Sequence, residues 1–369
     1  MSRLITLAIH TYERALMVRT LLENEGIRVE LNNVNLEVPG FSSGVRVRIR
    51  ENDLPLALRI VENQELFSDN ISPAKACHTF LVPVDFSEHS FKAALVGCTL
   101  ASKHNAAVDL LYSYIDPYIA GKMQLSDSLS YEIGESGARQ QMTEAGRTLM
   151  SHFAERLRRR MLDGIIPAVK LNLDVTEGVP EDAIVDYAKM HTPRLIVMGT
   201  REARKKESDM IGSITAEVLD EGRFTVLTVP ETVTVEKSLH PTNILFFSNI
   251  DQNDILAMDT LYRLFGSDDA AVTIVHIPKK SRFNENSVDK ALVRLSDYCR
   301  ANFKHYHFES VPVSQADSDR EFAELNALHG FDLVVVPNRR RNALSRLLRP
   351  GLAHRLLFQA DIPMLVIPV

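Results

Sequence analysis

Asp85, Gly199, Gly212 and Ser213 are the residues of this chain whose types and spacing could do chemistry on a ligand. Asp85 ends the run FLVPVD and brings a carboxylate able to accept hydrogen bonds from sugar hydroxyls. Gly199 ends the apolar run LIVMG, and without a β-carbon it lets backbone amides approach a phosphate. Gly212-Ser213 opens the helical stretch SITAEVLDE. A helix N-terminus presents unpaired N–H groups and a partial positive charge to an anion, and serine adds a hydroxyl. Such a set fits a phosphorylated sugar. The same residue types also serve strand-to-helix turns for backbone reasons, so a structural turn is the second reading.

For these groups to meet, they must lie at the carboxyl ends of neighbouring parallel strands. Residues 195–230 read as strand, glycine turn, polar loop, helix and a second strand closed by Pro230. Residues 333–368 repeat that length and apolar rhythm, with Leu195 falling on Leu333, Leu219 on Leu357 and Pro230 on Pro368 at a constant offset of 138. An internal repeat follows. Apolar runs at 80–84, 108–114 and 169–175 precede the first of these segments, and 243–247, 272–276 and 305–311 precede the second. Asn249 then stands opposite Asp85 at an offset of 164, so the second copy is 26 residues shorter between its first and fourth strands. Helical stretches separate the strands: Ser87 caps one in the first copy, Pro180 opens another, and 254–265 and 287–303 are their counterparts in the second. Between 116 and 136 the first copy reads as loose chain, leading into a long helix with Met142, Leu149, Phe153, Leu157 and Met161 along its core side and Gly164 at its end. Alternating strands and helices imply a doubly wound parallel sheet, whose ligand crevice lies beyond the strand ends at the switch point of the topology.

Residues 3–65 form a smaller unit in the order strand, helix 13–25, strand, strand 45–49, helix 54–65, with Gly26 as a left-handed C-cap. That β-α-β-β-α order is ferredoxin-like. Arg46, Arg48 and Arg50 alternate with Val45, Val47 and Ile49, which predicts a solvated, charge-protected edge, the alternative being a surface for an acidic partner or ligand. Residues 66–76 read as a linker. At 369 residues the chain has room for several cores, and a net charge of -6 excludes a general nucleic-acid or anionic-membrane binder. Cys77, Cys98 and Cys299 lack CxxC spacing and read as small core residues of a reducing compartment. No apolar run reaches about 18 residues and no signal segment opens the chain, so a cytoplasmic location is expected. His305 and His307 share a strand face but no carboxylate at ligand spacing, so no metal site is expected. No nucleophile-elbow, Walker or zincin motif is present.

The stretches FLVPVDFSEHSFKAAL, EGVPEDAIVDYAKMHTPRLIVMGT and GSITAEVLDEGRFTVLTVP together resemble a universal stress protein domain, in full over 78–231 and weakened over 241–369. The start TYERALMVRTLLENEGI resembles the small bacterial domain described as a putative signal-transducing protein. The resemblance implies two tandem doubly wound parallel-sheet domains (universal stress protein, adenine nucleotide alpha hydrolase-like) at 77–232 and 240–369, preceded by a small α+β ferredoxin-like domain at 1–70. It implies a cytoplasmic stress-response or regulatory protein binding ATP or another adenine nucleotide, with Mg2+, in the first domain only. Pro83, Val84, Asp85, Ser113, Met198, Gly199, Gly212 and Ser213 would contact the nucleotide. The family frame G-2x-G-9x-G-[ST] is kept here as Gly199, Glu202, Gly212 and Ser213, with a glutamate at the second glycine among Arg201, Arg204, Lys205 and Lys206. In the second copy Pro337, Arg340, Pro350 and Gly351 replace the frame, so that site is expected to be lost, leaving a basic loop of Arg339, Arg340, Arg341, Arg346 and Arg349. No catalytic residue is implied, and at most a weak ATPase. The other function classes are an interaction or scaffold protein with vestigial sites and a carrier of another small anion. Pairing of the copies through TVLTVP and MLVIPV as an intrachain pseudo-dimer, homodimerisation and an unknown protein partner are the expected associations, with neither nucleic acid nor membrane.

Overall fold

The computed structural model describes residues 4–10, 15–16, 18–19, 22–23, 26–34, 44–54, 56–57, 79–115, 131–200, 213–221, 223–250, 253–266, 268–276, 285–312, 318–338 and 362–369. The chain divides into two units, one of Met1–Cys77, His240–Arg339 and Ile367–Val369, the other of His78–Leu239 and Arg340–Val366.

In the first unit β1 (Leu4–His10), β2 (Val29–Val34) and β3 (Gly44–Arg50) form an antiparallel sheet in the order β1-β3-β2. That order is the split β-α-β arrangement expected from the sequence. The described residues from 15 to 23 are helical, and Gly26 ends that stretch at φ 81 with Ile27 N–H donating to Leu22 O at 2.9 Å. This bond, six residues closed to one, is the Schellman bond that a left-handed glycine permits. Val45, Val47 and Ile49 are buried as their alternation requires. Arg46 is not on a solvated edge: β3 is the central strand, and Arg46 is 1% exposed. Arg50 alone of the three is exposed, and Arg48 is half-buried.

The other unit holds the first copy. It comprises β4 (Thr79–Pro83), α1 (Glu88–Lys103), β5 (Ala107–Tyr114), α2 (Tyr131–Leu162), β6 (Leu171–Glu177), α3 (Pro180–His191), β7 (Leu195–Thr200), α4 (Ser213–Glu221), β8 (Val226–Pro230) and the short α5 (Val235–Leu239). Strand order is β6-β5-β4-β7-β8, and every neighbouring pair is parallel. Apolar runs without alternation explain the central strands: Phe80, Leu81, Val82, Ile196 and Val197 are each fully buried because helices cover both faces. Ser87 caps α1 by accepting from Ser90 N–H at 3.3 Å, and Pro180 occupies the first turn of α3. Helix α2 starts at Tyr131, inside the segment read as loose, and Leu149 is 48% exposed. The core face is instead Gly146, Met150, Phe153, Ala154 and Leu157. A seven-residue step from Met142 to Leu149 falls slightly short of two turns of 3.6 and so drifts away from the face of Met150 and Phe153, and glycine and alanine carry too little hydrophobicity to mark the true stripe. Cys98 is buried, its thiol pushed up to about 12 by desolvation.

The second copy belongs to the first unit, with β9 (Asn243–Phe247), α6 (Asn253–Phe265), β10 (Ala270–His276), α7 (Glu285–Asn302), β11 (Tyr306–Pro312), α8 (Ser318–His329) and β12 (Leu333–Asn338). Its parallel order β11-β10-β9-β12 matches β6-β5-β4-β7 strand for strand. The last strand, β13 (Met364–Pro368), pairs antiparallel with β8 through Met364 to Val366 opposite Thr228 to Val226. Both strands are apolar and buried, in keeping with the pairing expected of them. No described helix is long and apolar enough to cross a membrane.

Candidate functional site

The chain of the first copy runs outward from β4 through β5 to β6, then returns to β7 on the other side of β4. The carboxyl ends of β4 and β7 therefore flank the switch point, where connections leave toward opposite faces and a crevice opens. Pro83 closes β4, Val84 and Asp85 follow it, and Met198 and Gly199 lie in the last turn of β7. These five expected residues are thus brought to one sheet end. Pro83 is in register with Leu111, so Ser113 stands two residues farther along β5. Ser213 begins α4, while Gly212, Glu202 and the basic residues Arg201, Arg204, Lys205 and Lys206 lie outside the described residues.

The turn at β4 is tightly specified. Val84 N–H donates to Leu111 O at 2.9 Å. Phe86 adopts φ 63, a left-handed conformation uncommon for a bulky residue, and its ring lies 4.5 Å from that of Tyr112. In the second copy Ile250 sits at the same repeat position with φ 54, and Ser248 N–H donates to Val275 O at 2.7 Å as Val84 does to Leu111. Neither left-handed residue is signalled by the sequence, which puts phenylalanine and isoleucine rather than glycine or asparagine at those two positions.

Asp85 brings a charged side chain to this sheet end. Its Oδ1 accepts from Ser87 N–H at 3.1 Å and from the Ser87 hydroxyl, and its Oδ2 lies 3.3 Å from His89 Nε2. Sequence reasoning missed His89, although its place four residues on along α1 is a helical contact distance. His89 foremost, with Ser87, holds the Asp85 carboxyl well below the usual carboxylate range, against the opposing effect of burial. A carboxylate whose folded pKa is depressed contributes stability that is present above its unfolded value of about 4 and is lost as pH falls through the folded one. Asp85→Ala is therefore expected to lower the melting temperature at pH 7. The gap to the parent protein should shrink steadily in melts taken below about pH 4. A gap that stays constant down to pH 2 would rule out the ionised carboxylate as its cause.

Gly199 has a packing reason to be glycine. A β-carbon there would stand 2.4 Å from His89 O, 2.6 Å from His89 C and 3.0 Å from Ser90 N, all backbone of the first turn of α1.

The corresponding strand ends of the second copy are bonded to each other. Asn249 Nδ2 donates to Pro337 O at 3.2 Å, tying the end of β9 to the end of β12. Asp85 is acceptor-only and cannot make the equivalent bond to a carbonyl on β7. Asp254, 1% exposed, accepts from Ser248 Oγ at 2.7 Å and from Asn249 N–H at 3.1 Å, so the turn is held from within. Arg339, Arg340, Arg341, Arg346, Arg349, Pro350 and Gly351 lie outside the described residues. His305 precedes β11 and is exposed, its Nδ1 standing 3.2 Å from Oδ1 of Asp269, a carboxylate distant in sequence. Among the described residues no group of three His, Cys, Asp or Glu side chains could hold a metal ion.

Comparison with known proteins bears on the whole of this arrangement. The model of the universal stress protein family matches residues 77–230 and 251–368, leaving the N-terminal sheet outside both regions. A universal stress protein of Methanocaldococcus jannaschii is 26% identical over 154 residues, which span 40% of this chain and 79% of that protein. The stress response protein NhaX of Bacillus subtilis is 27% identical over 168 residues, spanning 40% of this chain and 95% of its own. The crystal structure of a universal stress protein from Archaeoglobus fulgidus superposes with a TM-score of 0.55 at 15% identity over 79% of this chain and 99% of that one, which speaks to fold. With both matched regions together spanning most of its length, and with the same strand order in each copy, the chain belongs to the universal stress protein family as a tandem of two domains.

Proposed function

We propose that this stress-response protein binds an adenine nucleotide in its first copy only, at the switch point between β4 and β7. The observation that carries the reading is the contrast between Asp85 and Asn249: the first keeps an ionised acceptor at the strand end, whereas the second spends its amide on the Pro337 carbonyl. A carboxylate in that place suits ribose hydroxyls, and the α4 N-terminus at Ser213 suits phosphates. Pro83, Val84, Ser113, Met198, Gly199 and Gly212 would complete the walls. Mg2+ would arrive with the phosphates, as is usual for an ion that keeps most of its water. Glu202, within the frame, weakens the phosphate end and favours a regulatory binder over an ATPase.

The test is thermal. A nucleotide at about 100 times its Kd stabilises the state that binds it by about 2.7 kcal/mol. Millimolar ATP with Mg2+ is expected to raise the melting temperature of the parent chain. Asp85→Asn, which installs the residue of the second copy, should weaken binding about 10- to 100-fold by calorimetric titration, the worth of hydrogen bonds to a charged acceptor. Absence of any shift with ATP, ADP or AMP would leave the scaffold reading, in which both crevices are vestigial. The tight packing at Gly199 favours that reading, since it accounts for the glycine without a ligand.

A further inference from the structure

Arg46 brings a charge into the interior of the first unit and finds its partners on the second copy. Its Nη2 pairs with the Asp259 carboxylate of α6, and its Nη1 donates to Tyr298 Oη of α7 at 2.9 Å. Nε donates to Thr6 Oγ1 within its own sheet. The guanidinium carbon lies 6.0 Å from the Tyr298 ring centroid and 5.7 Å from that of Phe303, within cation–π range. Asp259 is held from the other side as well, its Oδ2 accepting from Thr6 N–H at 2.7 Å. One carboxylate thus satisfies the central and an outer strand of the N-terminal sheet.

The first copy links its corresponding helices by itself, through an exposed pair. Arg156 of α2 pairs with Glu88 of α1 at 2.8 Å and lies 4.0 Å over the Phe91 ring, so an arginine of the copy itself joins its first two helices. In the second copy α6 and α7 are both bonded by Arg46 of the N-terminal sheet. At the repeat offset of 164, Asp259 stands where the first copy has Leu95. An apolar position has become the anion that receives Arg46.

We infer that the α6–α7 face of the second copy is the docking surface of the N-terminal module, and that the two open and close as one cooperative unit clasped by Arg46 and Asp259. The module is then a built-in part of the second copy, and its central arginine is not free for an acidic partner elsewhere. A buried pair of this kind specifies one docking geometry, because removing either partner strands a charge while replacing both with apolar groups does not.

Hydrogen–deuterium exchange on the full chain tests this, followed in peptides covering Leu4–His10, Asn253–Phe265 and Glu285–Asn302, with Glu88–Lys103 as the control. Arg46→Met is expected to raise exchange in the first three segments together by about a hundredfold, leaving the control unchanged. Asp259→Asn, which keeps an acceptor for Thr6 N–H, should show the same pattern at smaller size and covers the case in which Arg46→Met does not fold. The double variant Arg46→Met with Asp259→Leu should return all three segments to within about tenfold of the parent. Faster exchange confined to the N-terminal segment, or to the two helices, would overturn the single-unit inference. A double variant no better than Arg46→Met would overturn the clasp.

Discussion

Gly199→Val is expected to destabilise the first copy by about 3 kcal/mol or more, since even one inserted carbon in a filled space costs about 1–3 kcal/mol. The added β-carbon would meet backbone atoms of His89 and Ser90 at 2.4 to 3.0 Å, where no side chain can swing aside. Those atoms belong to a helix start fixed by the Ser87 cap, so relief requires α1 to move away from the end of β7. The corresponding fall in melting temperature is about 6–12 °C for a unit of this size, read by thermal unfolding without ligand. Gly199→Ala should show a smaller loss of the same origin. Were Gly199→Ala to melt like the parent while losing nucleotide binding, the glycine would be a ligand-contact residue first and the packing argument would fall. A consequence for mutagenesis is that loss of binding in a Gly199 variant says little by itself and has to be read beside its melting temperature.

The second large effect is expected in the other copy. Asp254→Ala removes the buried acceptor of Ser248 Oγ and Asn249 N–H, and the two stranded donors cost about 1–3 kcal/mol each. A loss of about 3 kcal/mol overall, measured by denaturant unfolding, is the expected outcome. Its counterpart at the repeat offset is Ser90, whose hydroxyl donates to Ser87 O at 3.0 Å beside the cap. Ser90→Ala should cost only about 1 kcal/mol, the net worth of one neutral hydrogen bond. Equal losses in the two variants would mean that the copies hold their first turns by the same means, against the geometry described for Asn249.

Much of this architecture was legible in the sequence because it is written locally. Uninterrupted apolar runs gave the central strands, Ser87, Pro180, Gly164 and Gly26 marked helix ends through their own backbone preferences, and one constant offset exposed the repeat. The site was legible as residue types at strand ends. What could not be read was whatever depends on a distant neighbour. Asn249 was visible as a replacement for Asp85, but that its amide ties two strands together needed the position of Pro337. Gly199 looked like a phosphate contact because nothing near it in sequence announces the α1 backbone. Arg46 was read as solvated because an alternating strand ordinarily turns its charges outward, and its partner Asp259 lies in another part of the chain. Leu149 was misplaced for a different reason, that small residues such as Gly146 and Ala154 form helix contacts without registering as hydrophobic.

The pairing of Arg46 with Asp259 also sets an order of events during synthesis. The two residues are 213 positions apart, and the intervening chain includes the whole first copy. At roughly 5–20 residues per second, the N-terminal sheet emerges about 10–40 s before the helix that completes it. Over that interval the first copy can fold by itself, while the earlier-made sheet waits with its guanidinium in water. Two segments that group into one unit are thus made far apart in time, and the N-terminal sheet gains the partner of its buried arginine only after the first copy has been synthesised.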